Sequence, residues 1–374
     1  MAATVIGALR RFLPGFWREH PVADRARRRA IWALTHCRTP ALGGHVHGCA
    51  ACGTVRFAYH SCNHRACPQC SRDATARWVQ RELRKRLGVP YFMVTFTVPQ
   101  ELRALFFSAA AKQVYDVLFA AASAALSSAL SHPRWLGAVD HGFTMILHTW
   151  NQCLLFHPHL HVIVPGAGLD RLGRIVCVKS PGFLVPQPVL RSAFRRFFRQ
   201  QLEQLRQNTD LPPVDPAVWH KDWGVHLQPF GDGANAIKYL GTYVCRTAIS
   251  DARLLAVDDQ RVTFSWKDRA RGNARRTETV TGTEFVARYL RHVLPLGLRA
   301  IRRYGFCHPS AKAIRERLAL HTGGTIVLET TAATTAPRPA PACPCCGQPM
   351  IAQIRLPASW HTGRAPPVTQ PLAA

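Results

Sequence analysis

The sequence predicts an α+β protein. Its centre is a ferredoxin-like antiparallel sheet with an added helix carrying two tyrosines. A small cysteine-rich module precedes it, and a basic helical region follows. Three observations carry this prediction. Apolar runs with strand and helix periodicity follow one another in the order β-α-β-β-α-β-α. Two CxxC pairs, Cys49/Cys52 and Cys67/Cys70, are separated by fourteen residues. The formal net charge is +27, from 48 Lys and Arg against 21 Asp and Glu.

Each element can be justified in turn. Residues 1–35 form a basic amphipathic helical lead-in, "FWREHPVADRARRRAIWALTH". Residues 36–80 are rich in Cys, His and Gly and poor in periodicity, which suits a small metal-stapled module. A sheet domain is expected over residues 85–265. It opens with "YFMVTFTV" (91–98), a β-branched and aromatic strand closed by Pro99. An Ala/Leu-rich helix follows at about 101–131. "GFTMILHTW" (142–150) and "HLHVIVP" (159–165) read as two strands on a short connection. "VLRSAFRRFFRQQLEQLRQ" (189–207) is an amphipathic basic helix, "WGVHLQPF" (223–230) a strand and "ANAIKYLGTYVCRTAI" (234–249) a further helix. Residues 266–322 are expected to form a basic DNA-binding region. Residues 323–374 begin with a Thr/Ala/Pro-rich linker, pass through "CPCCGQPM" and end in a Pro-rich tail expected to be disordered.

So large a positive excess repels itself unless a polyanion shares the surface, and nucleic acid is the leading partner. The N-terminus lacks a secretory pattern, being broken by Arg10, Arg11 and Pro14. The apolar stretch from Leu105 is interrupted by Lys112, Gln113 and Asp116, as in a packed helix rather than a membrane span. A cytoplasmic, nucleoid-associated protein is the expectation. There, thirteen cysteines point to metal rather than disulfides.

Nine of those cysteines fall in two clusters. The spacing of Cys49, Cys52, Cys67 and Cys70 predicts one tetrahedral thiolate zinc site, each CxxC biting from a tight turn. Cys37 and Cys62, with His45, His47 and His64 nearby, offer ligands for a second zinc. "CPCCG" supplies Cys343 and Cys346, half of a zinc knuckle with no second half close in sequence.

In "HPHLHVIV" the side chains alternate faces. His157, His159 and His161 share one face, while Leu160, Val162 and Val164 enter a core. Two histidines at i and i+2 on a rigid strand can aim imidazole nitrogens at one cation. Upstream, His148, Asn151 and Gln152 can approach through the implied hairpin. Such a site leaves positions open for water and phosphate oxygens on Mg²⁺ or Mn²⁺. Tyr239 and Tyr243 lie at i and i+4, hence on one helix face. A cation beside a phosphodiester and a tyrosine hydroxyl able to attack it make a transesterification site. The chain has no GKS or GKT phosphate loop, as fits chemistry that needs no ATP.

The ordered motifs "HPHLHVIVPGAG" and "YLGTY" resemble the HUH endonucleases, and more closely the IS91-type rolling-circle transposases. "CRTPALGGHVHGCAACG" and "YHSCNHRACPQC" are similar to that family's N-terminal zinc-binding domain. The resemblance spans about residues 30–320 plus the terminal "CPCCG". It implies a transposase that nicks single-stranded DNA, leaving a 5′-phosphotyrosine and a free 3′-OH. His159 and His161 match the motif ligands, and Tyr239 and Tyr243 the paired nucleophiles, with Tyr239 favoured if only one acts. A polar third ligand seven residues before the first motif histidine falls on Gln152, with His148 as second choice. Ala66 and Cys245 depart from the pattern, and neither touches the nucleophiles. A plasmid or phage rolling-circle initiator would share this chemistry. A non-catalytic zinc DNA-binding protein would explain the charge and the cysteines but leave HLH and YLGTY idle.

Overall fold

The computed structural model describes residues 3–21, 24–244, 248–268, 271–324 and 340–358. In chain order, the first elements are α1 (Val5–Glu19), α2 (Arg25–His36), β1 (Gly44–Gly48), β2 (Val55–Tyr59) and α3 (Ser71–Leu83). Next come β3 (Tyr91–Thr97), α4 (Ala111–Leu130), β4 (Gly142–Trp150), β5 (Phe156–Pro165) and the small pair β6 (Ala167–Leu169) and β7 (Ile175–Cys177). Then follow α5 (Gln187–Arg206), β8 (Gly224–Pro229) and α6 (Ala234–Val244). The chain continues with β9 (Leu254–Val257), β10 (Arg261–Asp268), β11 (Ala274–Thr281) and α7 (Gly282–Leu290). The last elements are β12 (Ile301–Gly305), α8 (Lys312–Thr322) and β13 (Ile351–Leu356).

The chain divides into two compact units, each discontinuous in sequence. One comprises Met1–Ala74, Arg246–Val293 and Leu328–Ala374, the other Thr75–Cys245 and Leu294–Val327. This corrects the expectation of consecutive domains. Residues 246–265, assigned from sequence to the sheet domain, belong with the N-terminal module. The region 266–322 is shared between the units.

In the first unit, the basic lead-in is part of the fold rather than a free arm. The apolar stripe of α1 packs against α7, and so closely that a Cβ added at Gly282 would sit 2.0 Å from the Phe12 ring. Asp251 accepts from the Val5 amide at 2.8 Å, and the Tyr289 hydroxyl donates to the Ala66 carbonyl at 2.6 Å. Strands β9, β10 and β11 form an antiparallel sheet, with β10 central. A second small sheet has the order β13-β1-β2, so the C-terminal strand pairs with the N-terminal module.

The second unit holds a five-stranded sheet of order β12-β4-β5-β3-β8, antiparallel throughout. One face presents Phe92, Val94, Phe96, Leu160 and Val162 to α4 and α5 in a single core cluster. Phe194 of α5 is the hinge of that core, with its ring 4.9 Å from Phe96 and 5.3 Å from Trp223. The long expected helix at 101–131 is in fact two pieces, a 3₁₀ segment Gln100–Phe107 and α4. Among the described residues α4 alone is long and apolar enough to cross a membrane, yet most of it is buried against this core.

The opposite face of the sheet is two-toned. Met93, Ile146 and Ile163 are apolar and lie under Trp78 of α3, Ile237 of α6 and Leu318 of α8. Further along the same strands, Thr95 pairs with His161, Thr97 with His159, and His159 with His148. Register therefore puts three histidines together on the polar half of the face that α6 packs against.

Candidate metal centres and the tyrosine helix

The β4–β5 connection sets the histidine register. The Asn151 side-chain carbonyl accepts from the Cys153 and Leu155 amides, both at 2.9 Å, closing an Asx-type turn. Leu154 completes the turn in the left-handed region at φ 59°. A bulge between His148 and Trp150 absorbs the remaining offset. His148 then stands directly opposite His159.

The ring centroids of His148 lie 5.3 Å from His159 and 4.7 Å from His161, and those of His159 and His161 are 4.9 Å apart. One ligand nitrogen from each falls within 4.8 Å of the others. His159 Nδ1 donates to the His157 carbonyl at 2.7 Å, which fixes the tautomer and leaves Nε2 as the lone-pair nitrogen. Thr95 Oγ1 lies 3.0 Å from His161 Nδ1 and can hold that ring the same way. His148 is fully buried. Burial, reinforced by His161 and His159, pushes its pKa well below 6.5, so it is a neutral imidazole at pH 7. Three imidazoles this close, two of them held through Nδ1, fit a divalent cation, and nitrogen donors suit Mn²⁺ better than Mg²⁺.

Of the two sequence choices for a third ligand, His148 completes the cluster. Gln152, the first choice, sits half-buried in the turn beyond Asn151. His157 is not in the cluster; Arg103 lies 3.1 Å from its Nδ1. Trp223 is buried in the core, and Trp219 stacks on it at 5.7 Å. Trp150 stacks on His148 at 5.1 Å.

Helix α6 begins where β8 leaves the sheet. Asp232 accepts from the Ala234 amide at 3.0 Å and pairs with Arg86, which fixes the helix start. Gly233, at φ 81°, lets the chain pass so close to Tyr91 that a Cβ would meet its ring at 2.5 Å. The Gly241 of YLGTY does the same against α3, where a Cβ would lie 2.0 Å from a Val79 methyl. Tyr239 is half-buried at the edge of the apolar cluster formed by Met93, Ile146 and Ile163, with its ring 6.0 Å from Phe230. Tyr243 has its backbone in α6, and its side chain lies outside the described residues.

The cysteines pair differently from the sequence expectation. Cys49, Cys52, Cys67 and Cys70 do not meet in one site. Cys67 and Cys70 join Cys37 and Cys62, while Cys49 and Cys52 join Cys343 and Cys346. Sequence spacing identified each CxxC correctly as a bite but could not say which bites share an ion. In the first group Cys37 and Cys70 are 3.5 Å apart and Cys62 and Cys70 3.7 Å, against about 3.8 Å between sulfurs on a tetrahedral zinc. Hydrogen bonds from Cys62 and Cys67 hold the Cys37 thiol far below its usual pKa, and the same contacts push Cys62 up and Cys67 up to about 12. Four sulfurs from turn-held cysteines at this spacing are the donor set of a tetrahedral zinc.

Comparison with known proteins gives the family. A transposase zinc-binding domain family matches residues 8–98, and a family described as "Putative transposase" matches residues 142–314. "Putative transposase y4qJ" of Sinorhizobium fredii is 38% identical over 81% of this chain and 79% of its own. The transposase for insertion sequence element IS801 of Pseudomonas savastanoi pv. phaseolicola is 28% identical over 79% of this chain and 74% of its own. No solved structure gives a significant match. The chain carries a transposase zinc-binding domain ahead of a transposase region. It belongs to the IS91-type transposases. The Cys37, Cys62, Cys67 and Cys70 group lies wholly inside the zinc-binding match and suits a structural zinc.

Proposed function

We propose that this transposase nicks and rejoins single-stranded DNA by metal-assisted tyrosine transesterification, in rolling-circle transposition. The observation that carries the reading is the cluster of His148, His159 and His161 on the sheet face against which α6 packs. Strand order supports it. Leaving aside the edge strand β12, the sheet is built β3-α4-β4-β5-α5-β8 with spatial order β4-β5-β3-β8, the arrangement of a ferredoxin-like HUH domain.

His148, His159 and His161 would hold Mn²⁺ or Mg²⁺. Bound there, a divalent cation polarises the scissile phosphodiester and steadies charge on its oxygens. The chain's own residues do the rest. Tyr239 presents its hydroxyl oxygen to phosphorus, losing its proton as the Oη–P bond forms. The P–O3′ bond breaks, and the 3′ oxygen leaves and takes up a proton. The resulting 5′-phosphotyrosine ester conserves the cleaved bond for later attack by a 3′-OH, so no nucleotide cofactor is consumed. Thr95 and the His157 carbonyl keep two imidazoles oriented. The +27 charge draws the polyanion to the surface.

The test is cleavage of labelled single-stranded oligonucleotides from the element's ends. Nicking is expected with Mn²⁺ and not with chelator, and is expected to vanish in His159→Ala/His161→Ala. Metal-independent nicking, or full activity in that double variant, would overturn the reading.

A further inference from the structure

Cys343 and Cys346 lie beyond both family matches, which end at residues 98 and 314. In the first unit they nonetheless meet Cys49 and Cys52. Cys49 Sγ is 3.5 Å from Cys346 Sγ, and Cys52 Sγ is 3.5 Å from Cys343 Sγ. All four sulfurs fall within 4.8 Å of one another.

The two halves are built alike. In "CAACG" the Gly53 amide donates to the Cys49 carbonyl at 3.0 Å, and in "CPCCG" the Gly347 amide donates to the Cys343 carbonyl at 2.9 Å. Cys49 N donates to the Thr54 carbonyl at 2.9 Å, and Cys343 N to the Gln348 carbonyl at 2.8 Å. Gly53 and Gly347 both take the left-handed conformation, at φ 71° and 74°, where a side chain is strained. Each loop thus turns its two sulfurs to one point. The loops are brought together by the β1–β13 pairing, in which Gly48 opposes Ile351. Cys49 follows one strand and Cys346 precedes the other, so the ladder's end and the four thiols coincide. Among the described residues, Met350, Cys49 and Cys343 form the small buried cluster beneath. So slight a core does not hold a strand and two loops by apolar burial alone.

We propose that Cys49, Cys52, Cys343 and Cys346 bind a second structural zinc, and that this ion clasps the chain's C-terminal segment to its N-terminal module. The clasp closes a loop running from Cys52 to Cys343 and so through the whole of the second unit. It is independent of the chemistry at the histidines.

Exposure supplies a test on the unaltered full-length chain. Cys52, Cys345 and Cys346 are all exposed, and Cys345 is outside the cluster. Burial therefore cannot shield Cys52 and Cys346; only metal can. With zinc-loaded protein and iodoacetamide, peptide mass mapping is expected to show Cys345 modified at least tenfold faster than Cys52 and Cys346, and a chelator to abolish the difference. Equal rates in the zinc-loaded chain would overturn the clasp. A second arm replaces zinc with Co²⁺ and reads the thiolate-to-cobalt absorption band, to which histidine ligands contribute nothing. The band is expected to halve in Cys343→Ser/Cys346→Ser and to stay whole in Cys345→Ser. In Cys67→Ser/Cys70→Ser, Cys52 and Cys346 are expected to remain protected. An undiminished band in the first variant, or loss of their protection in the last, would refute the pairing.

Discussion

His148 on β4 stands directly across the antiparallel ladder from His159 on β5, with their rings perpendicular and 5.3 Å apart. That pairing turns the HLH motif from a two-ligand strand into a three-imidazole site. It makes His148 the residue whose loss should cost most outside the motif itself. In calorimetric titration with Mn²⁺, His148→Ala should weaken binding by more than the roughly 10–100-fold typical of an outer-shell change. Gln152→Ala should weaken it less. The reverse ranking would restore Gln152 as the third ligand.

Thr95 touches the site only through His161 Nδ1, at 3.0 Å. Thr95→Val keeps the shape of the strand and removes the hydroxyl. Mn²⁺ affinity should drop about 10–100-fold with the thermal midpoint nearly unchanged. Unaltered affinity would mean that the ring is held by its neighbours instead.

Gly241 lets α6 lie flush on α3, where a Cβ would come within 2.0 Å of Val79. Gly241→Ala should displace the tyrosine helix while leaving the histidines in place. Nicking should slow by an order of magnitude or more at unchanged Mn²⁺ affinity, since small misplacements of a reacting group are costly, about 100-fold per ångström. Parallel loss of metal binding would show that the effect is general unfolding.

His141 is half-buried, with Nε2 2.9 Å from Ser127 Oγ and Nδ1 donating to the Ala138 carbonyl at 3.0 Å. Burial lowers its pKa below 6.5, against opposing effects of that carbonyl and Asp140. Below pH 6.5 the unfolded chain binds a proton here that the folded chain refuses, so stability falls as pH falls through this window. His141→Gln should flatten part of the drop in thermal midpoint between about pH 7 and pH 5, and NMR titration should place the His141 midpoint below 6.5. A midpoint above 6.5 would reverse the sign.

The sheet was legible because its signals are local. "YFMVTFTV", "GFTMILHTW" and "HLHVIVP" carry strand composition on their own, and β3, β4 and β5 fall on them within a few residues. The helical runs between them give their succession along the chain, but not the pairing of β12 with β4 at the sheet edge. What escaped is non-local. β13 pairs with β1 across some three hundred residues, and no sequence window contains both. The four-cysteine partition follows from that pairing, so CxxC spacing could name the bites and not their partners. The closeness of His148 to His159 and His161 was not legible either, for a finer reason. Asn151, the left-handed Leu154 and the bulge after His148 together fix the register, and each is a backbone choice that a composition pattern does not display.

The central claim is that a tyrosine of α6 becomes joined to DNA. Its most direct measurement is mass spectrometry of the protein after reaction with a single-stranded end oligonucleotide and Mn²⁺. The account predicts a 5′-phosphotyrosyl peptide carried by the YLGTY segment, chiefly at Tyr239, and its disappearance in Tyr239→Phe/Tyr243→Phe. Nicked product with no protein-linked strand, or an undiminished adduct in that double variant, would contradict it.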